Sequence, residues 1–103
     1  MNTNTLHTIW KFPLNLRSGP QMVMMPEKAL ILRVAAHHGE PTMWARVSDQ
    51  ERQIVRYFAV IGTGSAVPAS AIYCGSCDIG SLVCHVFELP LDSAVGTHVT
   101  PSP

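Results

Sequence analysis

The sequence predicts an antiparallel all-β fold: about seven short strands in a meandering sandwich or small barrel, little or no helix, and a flexible C-terminal tail. Three observations carry this. Apolar residues alternate with polar ones in several short segments, which is the period of a strand with one buried face. Gly, Pro, Asn and Ser clusters interrupt the chain every 8 to 12 residues or so, and no segment shows a sustained 3.6-residue period. Sandwich and barrel alternate in the same way, so the pattern leaves both open.

In residues 5–14, Leu6, Thr8, Trp10, Phe12 and Leu14 share one parity and His7, Ile9 and Lys11 the other, which predicts a first strand. The turn residues Asn15-Leu-Arg-Ser-Gly-Pro20 break it, and residues 21–25 form a short second strand closed by Pro26. Met22, Met24 and Met25 cluster there; methionines on such a strand either fill a core or make an adaptable partner surface. Residues 30–36 and 42–47 read as a hairpin, with Gly39 at a turn position that needs positive φ. Ser48-Asp-Gln-Glu51 spells a helix capping box, but the strand formers that follow leave room for one helical turn at most. Residues 54–61 are the most strand-like segment, ended by Gly62-Thr-Gly-Ser65, and residues 71–77 and 82–89 form a last hairpin across Asp78-Ile-Gly-Ser81. One β domain over 1–90 and a tail over 91–103 is therefore the expected organisation, the tail having no sustained period.

Composition bounds the function. Seven Lys and Arg balance seven Asp and Glu, and charged residues are only 14 % of the 103. With no net field to collect phosphates or anionic lipid, sequence-independent nucleic-acid binding and membrane attachment are not expected. A neutral, charge-poor surface favours self-association, so a homo-oligomer is expected. The N-terminus lacks the pattern of a secretory signal, and the apolar runs fall far below the roughly 18 residues of a spanning helix. Three cysteines cannot all pair within one chain, which fits a reducing, cytoplasmic setting.

The stretch CGSCDIGSLVCH, residues 74–85, holds all three cysteines and one of five histidines. A structural zinc needs four ligands aimed at one point. Cys74 and Cys77 satisfy the spacing, but Cys84 and His85 are adjacent on a strand and must face opposite ways. A redox Cys-x-x-Cys wants a helix N-terminus to lower its thiol pKa, and no helix follows Cys77. We therefore read the cysteines as small buried apolar residues, with no metal or other cofactor; Cys74, Cys77, Cys84 and His85 are the set if a metal is nevertheless held.

No catalytic constellation stands out, so the chain reads as non-enzymatic. As binding candidates we retain His37 and His38 in a turn, Gly62 and Gly64 in a Gly-rich turn after a strand, and His85, which alternates with Val83 and Phe87. Gly62-Thr-Gly-Ser65 lacks the third glycine, the Lys-Ser/Thr ending and the helix of a phosphate loop, so a simple turn explains it.

In order along the chain, Thr8-Ile-Trp-Lys-Phe-Pro-Leu14, Met25-Pro26, Ile31-Leu32, Trp44-Ala45, Ile61-Gly-Thr-Gly64 and Cys84-His-Val-Phe-Glu88 resemble a family of short proteins from tailed phages and prophages. Its members open with Ile-Trp-Lys-Phe and close with His-Val-Phe-Glu, and carry no assigned activity or catalytic residues. The positions of Cys74 and Cys77 are mostly apolar in that family and that of Cys84 often aromatic or aliphatic, which implies that the cysteines are individual core variants. The resemblance implies an accessory protein that acts by binding, as an inhibitor of a host protein or defence system or by sequestering a small-molecule signal. A minor virion or assembly component, and a small zinc-binding protein, are the rival expectations.

Overall fold

The computed structural model describes residues 6–90, and they form seven strands and no helix. The strands are β1 (Thr8–Pro13), β2 (Gln21–Pro26), β3 (Leu30–His37), β4 (Glu40–Val47), β5 (Gln53–Gly62), β6 (Ile72–Ile79) and β7 (Leu82–Leu89). They make two separate antiparallel sheets, ordered β1-β4-β3 and β2-β5-β7-β6, which resolves the open choice in favour of a sandwich. Hairpins join β3 to β4 and β6 to β7, while the chain changes sheet between β1 and β2, β2 and β3, and β4 and β5. The tail expected over 91–103 lies outside the described residues.

Both hairpins have two-residue turns whose chemistry is visible locally. His38 (φ 53°) and Gly39 (φ 77°) are both left-handed, the requirement of a type I′ turn, so the histidine shares the strain that the sequence placed on Gly39 alone. Gly80, at φ 59°, occupies the first position of the second turn, where a type II′ turn wants glycine. Ser48 to Glu51 forms a turn and not a helix: the Ser48 hydroxyl accepts from Gln50 N at 3.2 Å, and Glu51 N donates to Ser48 O at 3.2 Å.

The core lies between the sheets. Ile31, Val34, Met43, Ala45 and Val47 face inward from one, and Val23, Met25, Phe58, Val60, Cys84 and Val86 from the other, with Leu14 and Ala29 closing the ends. β3 and β6, each an edge of its sheet, run against one another as the seam between the layers. Gly75 permits that approach: a Cβ there would stand 2.8 Å from Val34 Cβ. It follows a bulge between Tyr73 and Gly75 that turns Cys74 toward the core.

An ion pair caps one end of the core. Arg56 binds both Glu88 oxygens at 2.7 Å, donates to Ala29 O at 2.7 Å, and lies over the Phe58 ring. Burying a charge is tolerable here because the partner is bidentate and a further donor is satisfied. Gln21, also buried, clamps the β1–β2 loop by accepting from Asn15 N at 2.8 Å and donating to Asn15 O at 2.6 Å.

The first strand departs from expectation. Phe12 and Leu14 are covered, but Leu6 and Trp10, of the same parity, are exposed. β1 is a free edge pairing only with β4, so alternation continues past the point where the other layer covers it.

Candidate functional site

The candidate residues fall into two groups on opposite outer faces of the sandwich. On the three-stranded sheet, register aligns Lys11 and Arg33 on either side of Trp44, and Ile9 and Leu30 on either side of Arg46. His37 belongs to this face. Its Nε2 accepts from Lys11 Nζ at 3.1 Å, its ring meets Trp44 edge-on at 5.6 Å, and the His38 ring lies 4.0 Å away. Arg33 sits over the Trp44 ring at 5.8 Å. Partial burial, then the nearby His38 and Lys11, lower the His37 pKa, so it is neutral and free to accept from lysine at pH 7.

His85 lies on the outer face of the four-stranded sheet. Ser76 Oγ is 2.7 Å from its Nδ1 and Thr63 Oγ1 is 2.9 Å from its Nε2, while Tyr73 OH is 2.6 Å from Ser76 Oγ. A serine beside a histidine invites a nucleophile reading. The second ring nitrogen, however, is held by the Thr63 hydroxyl where a triad places a carboxylate. The arrangement is a polar ladder across β5, β7 and β6.

Gly62 and Gly64 form a turn closed by Ser65 N donating to Gly62 O at 3.0 Å, with Gly64 at φ 94°. Gly62 also lines a cavity of about 370 Å³ between the β1–β2 loop and the end of β5. Leu16, Val60, Ile61, Leu82 and Cys84 make its apolar wall, and Arg17 and Ser65 stand at its polar side. Thr63 joins this turn to His85; His37 and His38 are not part of that group.

The cysteines are core residues. Cys77 and Cys84 face one another across β6 and β7, Cys84 is buried, and all three contact the core. Burial first, with Glu88 near Cys74 and Asp78 near Cys77 and Cys84, pushes each thiol pKa upward, disfavouring the thiolate that metal or redox chemistry needs. His85 points away from Cys84, as adjacent strand residues must, and among the described residues no three His, Cys, Asp or Glu side chains converge on one point.

Sequence reasoning missed Arg17 in the cavity wall and the Lys11, Trp44, Arg33 row. The alternation of Ile9 with Lys11 and of Trp44 with Arg46 was visible; that three strands would bring them onto one face required their register. Among the described residues no helix is long and apolar enough to cross a membrane. No curated protein and no solved structure matches the chain. A family model does, over residues 6–96, spanning all seven strands, and the chain belongs to the family described as Domain of unknown function (DUF7352).

Proposed function

We propose that the protein is a non-enzymatic accessory protein of a phage or prophage that acts in the host cytoplasm by binding, covering a surface of a host protein and so inhibiting it. The observation that carries this is the outer face of the four-stranded sheet. Met22, Met24, Val55, Tyr57, Phe87, Val83 and Tyr73 share it, and β2, β5 and β7 place no charged residue there. Met22 is 71 % exposed and Met24 58 %, while Met25 of the same strand is fully buried. Exposed methionines and aromatics on a largely apolar face, crossed by the polar His85 ladder, are the composition of a docking surface, and methionine adapts to a partner at small cost.

Met22→Glu/Met24→Glu alters this face and leaves the core untouched. Host-protein capture by the wild type, confirmed with the purified partner, is expected to be lost in the variant. Equal capture by both would sink the proposal. Light scattering on the same pair separates the other occupant, since a second copy covering this face would make the wild type a dimer and the variant a monomer.

The 370 Å³ cavity favours a second reading, sequestration of a small ligand. That volume lies in the range of ordinary ligand pockets. Native mass spectrometry of the purified chain tests it by showing a retained molecule, or none.

A further inference from the structure

Net neutrality conceals a separation of charge. Arg52 is paired with Glu27 and Arg56 with Glu88. Of the five other basic residues, Lys11, Arg33 and Arg46 all lie on the outer face of the three-stranded sheet. Glu40, at the hairpin end opposite His37, is the one acid at the strand positions of that face. The partners that hold two of these cations are neutral: Lys11 donates to a histidine and Arg33 rests on an indole. Their charge stays unneutralised while their positions are restrained.

A patch of this kind acts locally. The Debye length is about 8 Å at physiological salt, and the shortest dimension of the molecule is 18 Å. Charges on the far layer are therefore largely screened from a ligand here. Adjacent strands lie about 4.8 Å apart, so Lys11 and Arg33 straddle Trp44 at about 10 Å, with Arg46 about 7 Å further along β4. Ile9 and Leu30, both more than half exposed, flank Arg46.

We propose that this face binds a single strand of nucleic acid, its phosphates meeting Lys11, Arg33 and Arg46 and its bases packing on Ile9, Leu30 and the exposed part of the half-buried Trp44. Alternation of cations with an aromatic and apolar surface is what a strand requires, because every base offers a π-face and every nucleotide a charge. An acidic peptide would use the cations and leave the aromatic and apolar positions without a role. The inference is independent of the apolar face on the other sheet.

The test is fluorescence anisotropy of a labelled oligothymidylate at about 50 mM salt, repeated as salt is raised. Three phosphate contacts predict a slope of log K against log salt of about −2, and Lys11→Ala, Arg33→Ala and Arg46→Ala should each reduce its magnitude by about 0.7. Trp10→Phe leaves Trp44 as the chain's only tryptophan, whose emission should be quenched on binding. Circular dichroism checks that each variant is folded, and the substitution Arg46→Glu, at an exposed position, gives a second reading of the charge effect. Absence of binding at low salt would overturn the proposal. So would binding that these variants weaken no more than Arg17→Ala does, or competition by oligoglutamate as effective as that by unlabelled oligothymidylate.

Discussion

Gly75→Ala tests the seam between the layers. The added methyl would lie 2.8 Å from Val34 Cβ and 2.9 Å from its Cγ2, and Gly75 has φ +155°, a region that side chains rarely occupy. The contact is with the root of a β-branched residue whose rotamer cannot swing it away. Overpacking costs about 1–3 kcal/mol, and a backbone conformation nearly reserved to glycine about 1–3 kcal/mol more, so the loss should be about 2–6 kcal/mol. In a domain of this size that lowers Tm by about 10–30 °C. Thermal and urea unfolding followed by circular dichroism give the value. Gly62→Ala is the control, since no heavy atom lies within 4 Å of its added Cβ and its φ is not positive; it should change stability by less than about 1 kcal/mol. In a Val34→Ala background the Cγ2 contact disappears but the Cβ contact remains, so the cost of Gly75→Ala should fall only in part. A cost below about 1 kcal/mol, or strict additivity of the two substitutions, would refute the close approach of β3 and β6.

Two further predictions rest on charged groups. Glu88→Ala strands Arg56 at the end of the core with only the Ala29 carbonyl; side-chain exposures of 17 % and 21 % make this a mostly desolvated pair. We expect a loss of about 2–4 kcal/mol, somewhat below that for a fully buried pair, in urea unfolding, and a loss under about 0.5 kcal/mol would show the pair to be solvated. His37 supplies a pH dependence. Its folded pKa lies below the ordinary 6.5, so its contribution to stability is full above 6.5 and is lost as pH falls through the folded value. Protonation sets a new cation beside Lys11, Arg33 and His38, with Glu40 the nearby acid. Oligonucleotide affinity should therefore rise from pH 7.5 to 5.5, and His37→Asn should flatten the rise; an equally steep profile in that variant would assign the effect to another group.

Much of the strand content was legible because it is local. Period-two alternation and turn residues located all seven strands, and Gly39 and Gly80 sit where the hairpin turns need them. The non-local part was not legible. Nothing in residues 8–13 says that β1 will be an edge or where along it the cover of the other layer ends, and that leaves Trp10 exposed although its parity matches Phe12. The methionines show the same limit: β2 splits them, Met25 to the core and Met22 and Met24 to the outer face, a division set by which layer lies on which side. The separation of Cys84 from His85 was legible as well, because adjacent residues on a strand face opposite ways, a rule that needs no tertiary information.

The same rule explains what the two terminal motifs do. In the first, Trp10 and Phe12 turn toward the core side while Ile9 and Lys11 turn to the outer face that carries Trp44 and Arg33. In the second, Val86 enters the core and Glu88 anchors Arg56 at its end, while His85 and Phe87 turn to the apolar outer face. Each motif thus serves folding with one parity and a surface with the other. The two surfaces differ: one is cationic and aromatic, the other uncharged on three of its four strands. A summed charge of zero averages over that difference, and it explains why the basic face emerges only from register. Reversing Lys11 and Met22 to glutamate in separate chains should therefore impair separate partners, and a single partner lost from both chains would mean that the two faces act as one.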